Sequence, residues 1–146
     1  MSPQFIKSRK EGEKAQKYVK GMFESWGLQF AATPRGYRPE YDGIIIGTLF
    51  GNPVRSKIEI KYDRLAATTN NIFLDINSLS KSTASILCIC LNDPIDTVLV
   101  LPLEDALNYA RSHANITGGE WNERSCLVDK NEFITKLKPK ILTTNK

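Results

Sequence analysis

Two strand-like runs separated by a turn signal lie between residues 42 and 61, and they constrain the fold more than any other part of the sequence. The first run contains Ile44-Ile45-Ile46, and the second contains Ile58-Glu59-Ile60-Lys61. The intervening Phe50-Gly51-Asn52-Pro53 is typical of a chain reversal, because Gly, Asn and Pro favour turns. The two runs are therefore predicted to pair as a hairpin.

This hairpin concentrates charged side chains at one place. Since side chains alternate along a strand, Glu59 and Lys61 share one face, while Ile58 and Ile60 project from the other. Asp42 stands at the start of the first run, so pairing of the runs can bring it beside Glu59. Two carboxylates and an amine in this arrangement indicate a place where a divalent metal ion could activate water.

The rest of the sequence predicts helices and further strands around the hairpin. Helical spacing of apolar residues extends over about 10–26 and ends at Gly27. Other helices are expected at about 103–112 and 132–137, and strands at 28–32, 41–49, 54–62, 72–76, 86–91, 97–101 and 126–128. Loops or polar connections are expected at 33–39, 78–85 (with one helical turn) and 115–124, and 138–146 is expected to be frayed. This order predicts an α/β fold, with a mixed central β-sheet flanked by helices, in one domain over residues 1–146.

Composition and charge narrow the classes of function. The net charge is +4, and basic residues crowd the N-terminus, which suits a polyanionic partner. No apolar run approaches the roughly 20 residues of a membrane span, and no signal-peptide pattern is present, so we expect a cytoplasmic protein without a membrane partner. The three cysteines lack metal-site spacing, and Cys88 and Cys90 lie in an apolar run, so we expect core thiols.

The order of elements, with the two acidic motifs on adjacent strands, resembles the PD-(D/E)xK nuclease superfamily, which has the restriction-endonuclease-like fold. The first motif reads Pro39-Glu40-Tyr41-Asp42-Gly43 and the second reads Glu59-Ile60-Lys61. The N-terminal half also resembles archaeal Holliday-junction resolvases and related phage nucleases. Arg9-Lys10-Glu11-Gly12 and Trp26-Gly27-Leu28 fit the two ends of the first helix in those proteins. Thr69 to Asp75 is similar to the segment that follows the acid-x-Lys motif in phage-type members.

The resemblance implies a magnesium site, in which manganese can substitute. Asp42 and Glu59 would be ligands, with the Ile60 carbonyl as a candidate third. Lys61 would orient or deprotonate the attacking water and stabilise charge developing on the phosphate. Where the family has a glutamate on the first helix this chain has Gln16, and Glu13 lies one turn earlier. Either is a candidate for contact with the metal, directly or through water, and a solvated helix position is an equally good reading of both.

A second set of residues is expected to contact nucleic acid. Tyr37 lies between two guanidinium side chains in the loop before Asp42, which suits backbone contact and base stacking. The predicted nucleic-acid-binding residues are Lys10, Arg35, Tyr37, Arg38, Arg64, Thr69 and Asn71.

These expectations add up to a magnesium-dependent DNA endonuclease, structure-selective like the Holliday-junction resolvases and acting as a homodimer. Two alternatives stay open. One is a restriction-type or repair nuclease acting on linear or single-stranded DNA. The other is a catalytically silent nucleic-acid-binding module on the same fold, which Gln16 and the loose first motif favour and the intact Asp42, Glu59 and Lys61 disfavour. RNA as the target is disfavoured only weakly.

Overall fold

The structure of the protein is a computed structural model that describes residues 3–32, 41–49, 52–63, 66–113, 116–118 and 123–143. The helices in these ranges are α1 (Pro3–Ser25), α2 (Ala66–Thr69), α3 (Ile76–Lys81), α4 (Leu103–Ser112) and α5 (Lys130–Leu137). The strands are β1 (Gln29–Ala32), β2 (Gly43–Leu49), β3 (Asn52–Asp63), β4 (Asn71–Asp75), β5 (Ile86–Leu91), β6 (Thr97–Pro102), β7 (Ile116–Gly118), β8 (Glu123–Asp129) and β9 (Lys140–Thr143).

Six strands form the central sheet in the order β1-β2-β3-β5-β6-β9, and a second sheet has the order β4-β8-β7. Within the central sheet β3 and β5 run parallel, whereas the other neighbours are antiparallel. The predicted α/β class, a mixed central sheet flanked by helices, is confirmed. The long strand β3 changes partners along its length: its first part pairs with β2, its last part pairs with β5, and Ile58 pairs with both.

Hydrophobic cores lie on both faces of the central sheet. On one face α1 packs against β1, β2, β3 and the cysteines of β5, and the buried residues there include Ala15, Val19, Phe23, Phe30, Ile45, Ile58, Cys88 and Cys90. On the other face the short helices and the second sheet cover β5 and β6, and the buried residues include Ile72, Leu79, Leu87, Ile89, Leu99, Leu103, Cys126 and Phe133. The expectation of buried core thiols is confirmed for Cys88 and Cys90, and Cys126 is buried as well.

Helix α1 forms because its buried side chains recur every four residues. Ala15, Val19 and Phe23 make one continuous apolar stripe along the helix, and all three are at most 1% exposed. The helix gives way to a turn at Gly27, which has a φ of +83° that a side chain would oppose. The helix begins at Pro3, one and a half to two turns earlier than the spacing of apolar residues predicted.

Two glycines let β1 approach β2 closely. A Cβ added to Gly43 would lie 2.7 Å from the Phe30 ring and 2.9 Å from the Ala31 carbonyl oxygen. A Cβ on Gly47, which has a φ of +147°, would lie 2.6 Å from the Leu28 side chain. Phe30 of β1 and Leu28, just before β1, therefore occupy the space that these two glycines of β2 leave open, and Gly43 directly follows Asp42.

Several predicted boundaries were wrong. The segment expected to fray at the C-terminus contains β9, which pairs with β6 through residues 97–100. The polar loop expected over 115–124 contains β7 and the start of β8. Helix α2 was not predicted, and α5 starts at Lys130, where Asp129 caps it by accepting a hydrogen bond from the Glu132 N–H. The predicted loop over 33–39 lies outside the described residues. Within the described part of the chain, no helix has the length and apolarity needed to cross a membrane.

Candidate active site

Asp42 is held at the point where the β2–β3 ladder ends. The last paired residues of the ladder are Gly43 and Ile58. One residue before Gly43, the Asp42 N–H donates to the Ile58 carbonyl at 2.8 Å. The Asp42 carboxylate accepts a hydrogen bond from the Ile60 N–H at 2.6 Å. The Asp42 carboxylate thus accepts the hydrogen bond that a backbone carbonyl would accept if the β2–β3 pairing continued. This bond fixes the carboxylate against β3.

Glu59 and Lys61 lie on one face of β3, as the alternation of side chains predicts. Their backbone partners on β5 are Leu87 and Ile89, so both side chains lie on the face covered by α3 and α4. The Lys61 Nζ atom lies 3.2 Å from Glu59 Oε2, and the two side chains are 35% and 13% exposed. This ion pair is half-buried at the edge of the second core, the one that the short helices and the second sheet form over β5 and β6.

Helix α3 positions both of these side chains through two serines. The Ser82 hydroxyl, at the helix C-cap, donates to Glu59 Oε1 at 3.0 Å, and Lys61 Nζ donates to the Ser78 hydroxyl. The helix itself is capped by Asp75, which accepts from the Ser78 N–H at 3.1 Å. Neither serine was predicted as a site residue. Asp75 immediately precedes α3 and belongs to the residue types preferred at an N-cap, a signal that could have indicated the start of the helix but not its position over the site.

Burial sets the electrostatics of the two carboxyl groups. Loss of solvent raises the pKa of Asp42 above its usual value, against the lowering effects of the Ile60 hydrogen bond and the Lys61 charge. Loss of solvent also raises the pKa of Glu59, and the negative charge of Asp42 raises it further. The two acids are therefore close enough to repel each other when both are ionised, and a bound cation would relieve that repulsion.

The donors at this site fit a magnesium ion. Magnesium prefers oxygen ligands and retains several waters, so two carboxylates and one carbonyl are a sufficient protein contribution. Because a strand residue directs its N–H and C=O toward the same neighbour, the Ile60 carbonyl lies on the same side of β3 as Asp42. Among the described residues no group of three or more His, Cys, Asp and Glu side chains is placed to hold a metal ion.

Gln16 and Glu13, the two residues of α1 that are candidates for contact with the metal, occupy different positions relative to Asp42. The Gln16 side-chain amide donates to the backbone carbonyl of Asp42 at 3.2 Å, so Gln16 contacts the main chain that carries the first acid. Glu13 lies exposed on α1, one turn earlier. The structure thus brings Gln16 to the site through the backbone of Asp42.

Of the predicted nucleic-acid-binding residues, Thr69 and Asn71 have side chains in the described part of the structure. Thr69 and Asn71 flank the start of β4, where the Thr69 hydroxyl accepts a hydrogen bond from the Asn71 N–H at 3.2 Å. Both belong to a local turn around Asn70, which has a φ of +56°. Lys10 is in α1, but its side chain lies outside the described part of the structure, as do residues Arg35, Tyr37, Arg38 and Arg64.

The fold is similar to that of a bacterial homing endonuclease, I-Ssp6803I, with a TM-score of 0.53. The alignment covers 82% of this chain and 76% of that chain, with 13% sequence identity. No protein-family model matches the sequence, and no curated protein matches it at a significant level. At this identity the similarity establishes a shared fold, and the chemistry must be inferred from the site.

Proposed function

We propose that this chain is a magnesium-dependent DNA endonuclease of the PD-(D/E)xK type, with manganese as a possible substitute for magnesium. The observation that carries the proposal is the convergence of Asp42, Glu59 and Lys61 where β3 changes partners from β2 to β5. The similarity in fold to an endonuclease supports the same reaction class. So does the net charge of +4, which suits a polyanionic substrate.

Each residue at the site has a proposed role. Asp42, Glu59 and the Ile60 carbonyl would hold the metal, which when bound polarises the scissile phosphate and lowers the pKa of a coordinated water. Lys61 orients the attacking water and stabilises the negative charge that develops on the phosphate, as an amine fixed by two side-chain contacts can do. Ser82 and Ser78 keep Glu59 and Lys61 in place, and Gln16 supports the main chain of Asp42.

Two DNA substrates are compatible with this site. A four-way junction cut by a homodimer is the substrate that the resemblance to resolvases implies. Linear duplex is the second candidate, and the exposed basic residues Arg55 and Lys57 favour it, because they lie on β3 on the same face as Glu59. The reaction at the phosphate is the same for both.

The test is cleavage of labelled four-way junction, linear duplex and single-stranded DNA, in magnesium, manganese or EDTA. Glu59→Ala is compared with the parent chain, and Glu24→Ala, at an exposed position on α1, is the matched control. We expect incision that requires the metal, is lost in Glu59→Ala and is retained in the control. Paired incisions in the junction would assign a resolvase-like role, whereas cleavage of the linear duplex would assign the second role.

DNA binding without incision in either metal would contradict the proposal. The catalytically silent module would then be the better assignment. In that case Glu59→Ala should leave DNA binding unchanged or tighten it, because it removes a negative charge beside the phosphate.

A further inference from the structure

The β1–β2–β3 part of the central sheet has one covered and one open face. Helix α1 covers the face that carries Phe30, Ile45 and Ile58, all of them buried. The residues in alternation with these form the open face: Gln29, Ala31, Ile44, Ile46, Thr48, Pro53, Arg55 and Lys57. All of them are exposed except Ile44, which is half-buried. This open face continues along β3 directly to Glu59 and Lys61.

We propose that the open face lies in the major groove of duplex DNA and reads base sequence next to the cleaved phosphate. This inference rests on the proposed function, because it takes the phosphate at Glu59 and Lys61 as the point of contact. The major groove is about 12 Å wide and admits a two-stranded β-ribbon. Strands that enter a groove in this way are an established mode of DNA recognition.

The charge of the face is complementary to DNA. Its described residues include two cations, Arg55 and Lys57, and no acidic side chain until the strand reaches Glu59. The acids are thus confined to the end where a metal would offset them. Lys57 Nζ lies 4.9 Å from the centre of the Tyr41 ring, beside Asp42, so its charge is held close to the site.

Residues that are paired across the strands form rows on this face, and the rows differ in the side-chain groups that they offer to DNA. The register places Gln29, Ile46 and Arg55 side by side across the three strands, and Ile46 is 41% exposed. Gln and Arg can each make paired hydrogen bonds to a purine edge, to adenine and guanine respectively, and an apolar side chain can contact a thymine methyl group. The neighbouring row contains Ala31, Ile44 and Lys57. The first row is therefore suited to base readout, and Lys57 to a phosphate.

The strand also fixes how far the read bases lie from the cut. Each strand residue advances about 3.4 Å, so Lys57 lies about 7 Å and Arg55 about 14 Å from Glu59 along β3. Base pairs also rise about 3.4 Å along the duplex axis, so a strand inclined to that axis spans at most about two base pairs over the first distance and about four over the second. The base contacted by Arg55 is therefore expected within about four base pairs of the cleaved bond.

The test measures binding apart from cleavage. The full chain is incubated in EDTA with a duplex library that has a randomised centre, and bound sequences are recovered and read. We expect the parent chain to enrich a motif. Arg55→Gln should relax the preference at one base-pair position by about tenfold while leaving the other positions unchanged.

Lys57→Gln should instead weaken binding to all duplexes alike and reduce the slope of log affinity against log salt by about one. Arg111→Gln and Lys136→Gln, at exposed positions on α4 and α5, are the matched controls and should bind like the parent. Circular dichroism of each variant verifies that the fold is intact.

The inference is overturned if the parent enriches no duplex sequence, or if Arg55→Gln and Lys57→Gln bind like the controls. Cleavage in magnesium is scored separately on the enriched duplex. A base preference that depends on Arg55, found without any incision, would overturn the proposed function and support base reading by the open face. Incision at a site that Arg55→Gln does not alter would support the proposed function and overturn base reading by the open face.

Discussion

The two ends of the central sheet are built on different principles. Strands β5 and β6 are buried on both faces, with Cys88 and Cys90 toward α1, and Leu87 and Ile89 toward α3 and α4. Strands β1, β2 and the first part of β3 are buried on the α1 face alone. Strand β3 belongs to both ends, and Glu59 and Lys61 lie where it passes from one to the other.

The difference explains why a charged cluster can exist at this place. In the doubly covered part an acid would lose all solvent, which costs several kcal/mol per unpaired charge. In the open part an acidic side chain would be freely solvated, and its pKa would be perturbed only weakly. At the boundary between these two parts Asp42 and Glu59 lose enough solvent for their pKa values to rise, yet both residues keep part of their surface exposed.

The largest expected effect is on the rate of cleavage, when Lys61 is replaced at the boundary between the doubly covered and the open part of the sheet. Lys61→Met should lower the rate of single-turnover DNA cleavage by about 10²- to 10⁴-fold, because in the proposed mechanism the amine acts on the attacking water and the developing charge. DNA binding should change little. Lys81→Met, at an exposed position in the last turn of α3, is the matched control. A binding loss as large as the rate loss would show that Lys61 serves to hold DNA.

The next prediction compares the two ends directly. Leu99→Ala, at a fully buried position of β6, should lower the free energy of unfolding by about 2–5 kcal/mol, because it leaves a cavity between two covered faces. Ile46→Ala, on the open face of β2, should change it by no more than about 0.5 kcal/mol. Urea unfolding measures both. Equal losses would mean that the open face is covered in solution.

A smaller effect, of opposite sign at two positions, is expected from replacing glycine in β2 and in α1. Gly43→Ala should cost about 1–3 kcal/mol, because the new Cβ would meet the Ala31 carbonyl oxygen at 2.9 Å, and backbone cannot move aside cheaply. Gly21→Ala, in α1 with nothing within 4 Å of the new Cβ, should instead stabilise by about 0.5–1 kcal/mol. The opposite signs are measured by thermal unfolding. Stabilisation by both would show that β1 and β2 are less closely packed than described.

The smallest effect is a dependence of stability on pH. Because the pKa of Glu59 in the folded chain is raised above 4.5, its contribution to stability is complete below pH 4.5 and is lost as the pH rises through the folded-state value. In EDTA, Glu59→Gln should therefore melt at a higher temperature than the parent at pH 8 and at a similar temperature near pH 4.

Magnesium should close the gap at pH 8 by stabilising the parent alone. The control is Glu24→Gln, at an exposed carboxylate of α1. If the parent melts at a higher temperature than Glu59→Gln at pH 8 in EDTA, the ionised Glu59 does not destabilise the folded chain, which would contradict this prediction.

The sequence predicted the elements whose evidence is local. The stripe of Ala15, Val19 and Phe23 indicated α1, and the alternation around Glu59 indicated β3 with its charged face. Asp42 could be placed beside Glu59 because both lie in one hairpin, so that little of the chain separates them.

Contacts between distant segments were not predictable in the same way. Strand β9 follows Lys138 and Pro139, begins with Lys140 and ends with Thr143, and it is formed by pairing with β6, about 40 residues away. Ser82 and Ser78 contact Glu59 and Lys61 only because α3 packs through Leu79 into the second core. No local pattern specifies that packing.

Helix α3 connects directly to β4, with Asp75 as both the last residue of the strand and the cap of the helix. A helix of six residues is too short to be stable by itself, so its order comes from the burial of Ile76 and Leu79. The alignment of the ionic groups is therefore a property of the apolar interior. If the proposed function is correct, enlarging or trimming Leu79 should change the magnesium concentration needed for cleavage, although Leu79 lies in the apolar core.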